Sequence, residues 1–130
     1  MHGMQRWSVL VLASVLACAT ASTQGLDAAV QLYNDGLRWK RLTQAAQFRA
    51  DRAQFLARYL AAEDKLNIES LEVRAVSPVA GRELPTFDVT VVAEAYVLPS
   101  TVLARRVLTE RWQEREGAWE LVSCEPELAP

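Results

Sequence analysis

Between Phe87 and Val97 the chain alternates without a break, and no other stretch restricts the fold as much. Phe87, Val89, Val91, Ala93, Ala95 and Val97 form one face, while Asp88, Thr90, Glu94 and Tyr96 stand on the other. Successive side chains of a strand point to opposite sides, so a period of two predicts a strand with one face on a core. Leu71, Val73 and Ala75 alternate in the same way with Ser70, Glu72 and Arg74, predicting a half-buried strand before it. Ser77 to Pro85 holds two prolines and Gly81 and reads as a loop. Pro99-Ser100 ends the long strand, and another is expected from about Val102 to Gln113. Glu114-Arg115-Glu116-Gly117 reads as a hairpin loop, with Gly117 free to take a left-handed conformation. Trp119 to Ser123 is the return strand, and Trp112 and Trp119 are expected to pair across the hairpin. Glu125 to Pro130 reads as a loose tail.

The residues before Ile68 follow a different period. Leu26, Val30, Tyr33 and Leu37 recur at helical spacing and share one face. Asp27 suits the positive start of that helix. Gly36 costs about 1 kcal/mol relative to Ala inside a helix, which points to close packing there. Leu42, Ala45, Ala46 and Phe48 make a second short apolar pattern. Asp51 reads as the N-cap of a third helix, whose buried stripe would be Phe55, Leu56, Tyr59 and Leu60. Two to three helices followed by antiparallel strands is an α+β order. N-terminal helices packed on a curved antiparallel sheet would bury both apolar sets.

The first residues carry an address. Met1 to Trp7 is polar with one charge, Arg6, and Val9 to Ala17 is an uncharged apolar run. That run is shorter than the ~20 apolar residues a spanning helix needs. A positive start, a short apolar core and small residues after it describe an export signal. Val15-Leu16-Ala17-Cys18 resembles the bacterial lipobox. The resemblance implies cleavage before Cys18 and a diacylglyceryl group (palmitate-type chains) on its sulfur, with or without a further acyl chain on the new amino terminus. Two or more acyl chains anchor stably. Cleavage near Ala19 or Ala21, as in an ordinary secreted protein, is the alternative. The segments expected are a signal peptide over 1–17, a tether over 18–25, one domain over 26–124 and a tail over 125–130.

Charge and residue types exclude several functions. Without Arg6 the chain keeps 13 basic and 16 acidic side chains, with no basic stripe for nucleic acid. His2, the only histidine, lies in the leader, so the mature part has none. Ser-His-Asp and Cys-His catalysis and His-containing zinc sites are therefore excluded, and no metal or cofactor is expected. Cys124 reads as a small buried apolar residue, or as the disulfide partner of Cys18 if that residue is not lipidated.

Tyr33-Asn34-Asp35-Gly36-Leu37-Arg38-Trp39, the Ala45-Ala46-Gln47-Phe48 stretch, and the closing RWQEREGAWELV from Arg111 to Val122 give a further resemblance. Over Leu26 to Cys124 the chain resembles the nuclear transport factor 2-like superfamily, and is similar to lipoproteins that carry such a domain. The resemblance implies a cone, with helices in the hollow of a strongly bent sheet. Its members include isomerases, dehydratases and binding domains, so fold alone does not give function. In a cone, Tyr33 and Asp35 would lie near the mouth. Glu94 and Tyr96 share a strand face, as a base and a donor would. Arg106, Glu110 and Trp112 alternate along the next strand as a pocket-lining row would. The pocket candidates are thus Tyr33, Asp35, Glu94, Tyr96, Glu110 and Trp112.

These readings together lead to the expectation of a membrane-tethered lipoprotein of the bacterial cell envelope, a binding domain more than an enzyme. An apolar small molecule or an envelope protein would be its partner besides the membrane. The alternatives are a carboxylate-based isomerase and an oligomeric scaffold part, homodimeric through the outer sheet face.

Overall fold

The computed structural model describes residues 22–130. The signal peptide and Cys18 lie outside the described residues. Three helices, α1 (Leu26–Arg38), α2 (Leu42–Ala46) and α3 (Arg52–Ala62), precede four strands. These are β1 (Leu66–Pro78), β2 (Thr86–Val97), β3 (Ala104–Arg115) and β4 (Ala118–Glu125). The strands form one antiparallel sheet in sequence order, so the chain is α+β, with helices packed on a single sheet. No helix among the described residues is long and apolar enough to cross a membrane.

The long alternating stretch is β2, and it is the centre of the core. Phe87, Val89, Val91, Ala93 and Ala95 are all buried, against Leu26, Val30, Tyr33 and Leu37 of α1 and Phe55 of α3 within one cluster. Gly36 lies where a Cβ would meet Ala45 Cβ at 3.0 Å and the Arg41 carbonyl at 3.1 Å, which explains a glycine inside α1. The backbone of Phe48 to Ala50 then runs parallel to β4. Leu121 N–H donates to the Phe48 carbonyl, and Ala50 N–H donates to the Leu121 carbonyl. One sheet edge is covered in this way, as exposed edges usually must be.

Several details depart from the sequence reading. Asp51 occupies the N-cap of α3 but makes no capping hydrogen bond; its carboxylate pairs with Arg49 instead. Leu60 is exposed, and Ala62 takes its place in the buried stripe of α3. Strand β1 begins earlier than Ser70, and its second half is uncovered. A bulge between Val73 and Ala75 turns Ala75 outward and Val76 inward, opposite Val89. The β3–β4 hairpin has both Glu116 and Gly117 at positive φ, the pairing that a two-residue turn of matching twist requires. That turn pairs Arg115 with Ala118, which sets Trp119 opposite Glu114 and Trp112 opposite Leu121; a bulge follows only beyond Trp112, toward Arg111. The two indoles therefore do not pair: Trp112 packs edge-on against Tyr33 and Phe48, and Trp119 against Phe87.

The tail is not loose. Leu128 and Ala129 are buried in the core, and Leu128 N–H donates to the Tyr59 hydroxyl at 3.2 Å.

Candidate functional site

A polar cluster sits inside the apolar core. Strand β3 turns Leu108, Glu110 and Trp112 inward, opposite Val91, Val89 and Phe87 of β2. Glu110 has 0 % of its surface exposed. Its Oε1 accepts hydrogen bonds from Asn34 Nδ2 on α1 (3.2 Å) and from Trp112 Nε1 (3.1 Å). Asn34 Nδ2 also donates to the Val30 carbonyl one turn earlier, at 2.9 Å. Glu110 Oε2 and Asn34 Oδ1 are buried with no partner. Both are acceptors, and they belong to two groups already joined by a hydrogen bond. A proton on Glu110 removes the charge and turns one of the two into a donor. Burial pushes the Glu110 carboxyl from its ordinary 4.5 up to about 7. The donors Trp112 and Asn34 and the charge of Arg49 pull it down, and Glu127 pushes it up further.

Arg49, between α2 and α3, organises a second network beside the first. Its Nε and Nη2 bind both carboxylate oxygens of Asp51, at 2.8 and 3.0 Å. Nη1 donates to the Tyr33 hydroxyl at 3.1 Å, and Nη2 also reaches Glu127 Oε1 in the tail. Glu127 Oε2 accepts from the Tyr59 hydroxyl at 2.9 Å. Burial alone would weaken the charge on Arg49, but bonds to Asp51 and Glu127 reverse that and hold it protonated. The same guanidinium, through its hydrogen bond, holds Asp51 below the usual carboxylate range. Burial raises the Tyr33 and Tyr59 hydroxyls and the Cys124 thiol well above their ordinary values. None of the three is a ready nucleophile or base.

The sequence candidates separate into two groups. Tyr33, Glu110 and Trp112 meet in this cluster. Asp35 points away from it, into a groove between α1 and β1. Glu94 and Tyr96 lie on the outer face, alternating with the buried Ala93 and Ala95. A strand has two sides, so residues there cannot join Glu110. Arg106 shares the inner row with Glu110, opposite Ala93, but it lies at the exposed start of β3. Asn34, Arg49, Tyr59 and Glu127 are parts of the cluster that the sequence did not announce. Asn34 sits next to Tyr33, close to the face of α1 that enters the core, and that placement was the one available signal.

Large side chains are packed through the interior. Trp112, Tyr33, Phe55, Leu26, Leu108 and Leu121 fill it. One gap of about 20 Å³ lies beside Leu37, Leu42, Tyr59 and Ile68, room for about one water. The larger concavities are open grooves: about 350 Å³ between α1 and β1, and about 190 Å³ beside Tyr96, Arg106 and Leu128. No grouping of His, Cys, Asp or Glu able to hold a metal ion occurs among the described residues. Cys124 is buried and unbridged, and Cys18 lies outside the described residues. In sequence, no family model and no curated protein matches this chain.

Proposed function

We propose that this chain is a lipoprotein of the bacterial envelope, lipidated on Cys18, whose folded part is a nuclear transport factor 2-like domain acting as a binding module. The leader and the Val15-Leu16-Ala17-Cys18 sequence support the anchor. Helices first and a four-stranded meander after them agree with the superfamily order.

One observation carries the choice of binding over catalysis: the acid best suited to chemistry, Glu110, is sealed in a filled interior. A general acid or base must come within hydrogen-bond reach of its substrate. Glu110 faces Asn34, Trp112 and the core, and its protonation serves the fold. The isomerase reading draws on the raised Glu110 pKa, but a substrate would have to displace Trp112 or Tyr33 to reach it. The dimeric scaffold reading is weakened by the outer sheet face. Asp88 and Arg111 are ion-paired there, and Glu94 stands opposite Arg105 and Thr90 opposite Thr109. Val92 and the 57 % exposed Val107 pair among them, so the face is mixed rather than uniformly apolar.

Cys18→Ala tests the anchor. Produced in the native host, the variant is expected to keep its leader and to carry no lipid, whereas the unaltered chain fractionates with membranes as the shortened, lipidated form. A variant that is still processed before residue 18 and still extracted only by detergent would refute the assignment.

A further inference from the structure

The α1–β1 groove has an apolar floor that belongs to the core face but is left uncovered. Leu71, Val73 and Val76 stand opposite Ala93, Val91 and Val89 of β2, all three of which are fully buried. Val73 and Val76 nevertheless remain 45 % and 41 % exposed, because no described part of the chain lies over them. The Val73/Ala75 bulge is what brings Val76 to this side.

The wall of the groove is α1. Asp27, Gln31 and Asp35 recur every four residues and so line one flank of the helix. At 1.5 Å per residue the two carboxylates are about 12 Å apart along the axis. Neither is in an ion pair with any described residue, and no Lys or Arg lines the groove. The concavity is therefore apolar along its length and negative at two separated points. A neutral lipid chain would leave both carboxylates unmatched, and an anion would be repelled. An added β-strand is disfavoured too, since two bulges break the regularity of the β1 edge.

We propose that this groove binds a linear aliphatic polyamine, with cationic nitrogens about 12 Å apart on Asp27 and Asp35 and the methylene chain over Val30, Leu71, Val73 and Val76. This names a ligand class for the binding module proposed above and rests on that reading. Exposed ion pairs contribute little individually, so binding is weak and needs both ends together with the apolar floor.

Titrating the lipid-free folded chain with 1,8-diaminooctane, followed by NMR of backbone amides, tests this. Shifts are expected in α1 residues 27–35 and β1 residues 71–76, saturating in the millimolar range or below. n-Octylamine and 1,4-diaminobutane are each expected to bind at least about fivefold more weakly, one lacking an end and the other the length. Asp27→Asn/Asp35→Asn, which alters only surface carboxylates, is expected to lose the preference for the diamine while keeping an unchanged spectrum elsewhere. Equal binding of all three amines, binding unaffected by the double variant, or no shifts in the groove would overturn the proposal. Each of those results leaves the lipidation of Cys18 to its own test, so the two failures are distinguishable.

Discussion

Replacing Arg49 by methionine is expected to lower folding stability by about 3–5 kcal/mol, the range for breaking a buried ion pair from one side. The methionine keeps most of the side-chain length and apolar stem, so the loss reports on the charge and its fork. Three groups lose a partner together: Glu127 in the tail, the Tyr33 hydroxyl and the Asp51 carboxylate. Asp51 is 44 % exposed and recovers water, so its share is small. Glu127 and Tyr33 cannot, being largely enclosed. The tail is held by this network, so amides of Leu128 and Ala129 should lose hydrogen-exchange protection beyond the global effect. Arg49→Lys is expected to recover only part of the loss. A single ammonium cannot span Asp51, Tyr33 and Glu127 as the planar fork does. Urea unfolding of the three chains measures this. A change below about 1 kcal/mol for Arg49→Met would mean that Arg49 is solvated and the tail docks without it.

Glu110→Gln is expected to remove a pH dependence that the unaltered chain shows between about pH 5 and 8. The folded-state pKa of Glu110, about 7, lies above its ordinary 4.5, so the folded form binds the proton more tightly than the unfolded form. Its contribution is fully present below pH 4.5 and is lost as pH rises through 7. The loss is on the order of 3 kcal/mol by pH 8. Few other groups interfere in this window. Asp51 is already ionised there, its pKa being lowered by Arg49, and no histidine occurs among the described residues. The glutamine side chain of the variant is neutral at every pH. Its oxygen can accept from Asn34 and Trp112, and its amide nitrogen can serve Asn34 Oδ1, the buried acceptor that has no donor in the unaltered chain. The variant should match the parent near pH 5 and exceed it at pH 8. Parallel stability curves for the two chains would show that Glu110 does not change its protonation within this range.

Sequence periodicity was informative where one face is wholly buried and the other is not. That condition holds for α1 and β2, whose inner residues are those the alternation and the helical spacing predicted. It fails at bulges, because one added residue inverts the inside and outside of everything beyond it. Ala75 was misplaced for that reason, whereas Trp112 and Trp119 fail to pair because the turn is only Glu116-Gly117, which sets Trp112 opposite Leu121. The tail was misread because Glu125-Pro126-Glu127 is polar and proline-containing, as loops are. What fixes it is a distant arginine, and nothing in local composition reveals a contact between residues 49 and 127.

The candidate site divided along the same lines. Glu110 and Trp112 were legible as an alternating row, and Tyr33 as part of a helical face. Their meeting in one cluster depends on β3 lying under α1, a tertiary fact. Glu94 and Tyr96 looked equivalent to Glu110 as carboxylate and donor on a strand. The alternation of β2 already set Ala93 and Ala95 toward the core and Glu94 and Tyr96 away from it; what it could not show is that the inner row of β3, with Glu110, pairs with that core face. The filled interior is likewise a property of packing, since side chains of the sizes found here could line a hollow or occupy it.

Intact mass spectrometry of the protein extracted from membranes of its native host tests the central claim most directly. The account predicts a chain that begins at Cys18 and carries a diacylglyceryl group, with or without a further acyl chain on the amino terminus. An unmodified chain beginning near Thr20 or Ser22 would contradict it and make this a secreted domain with no lipid anchor.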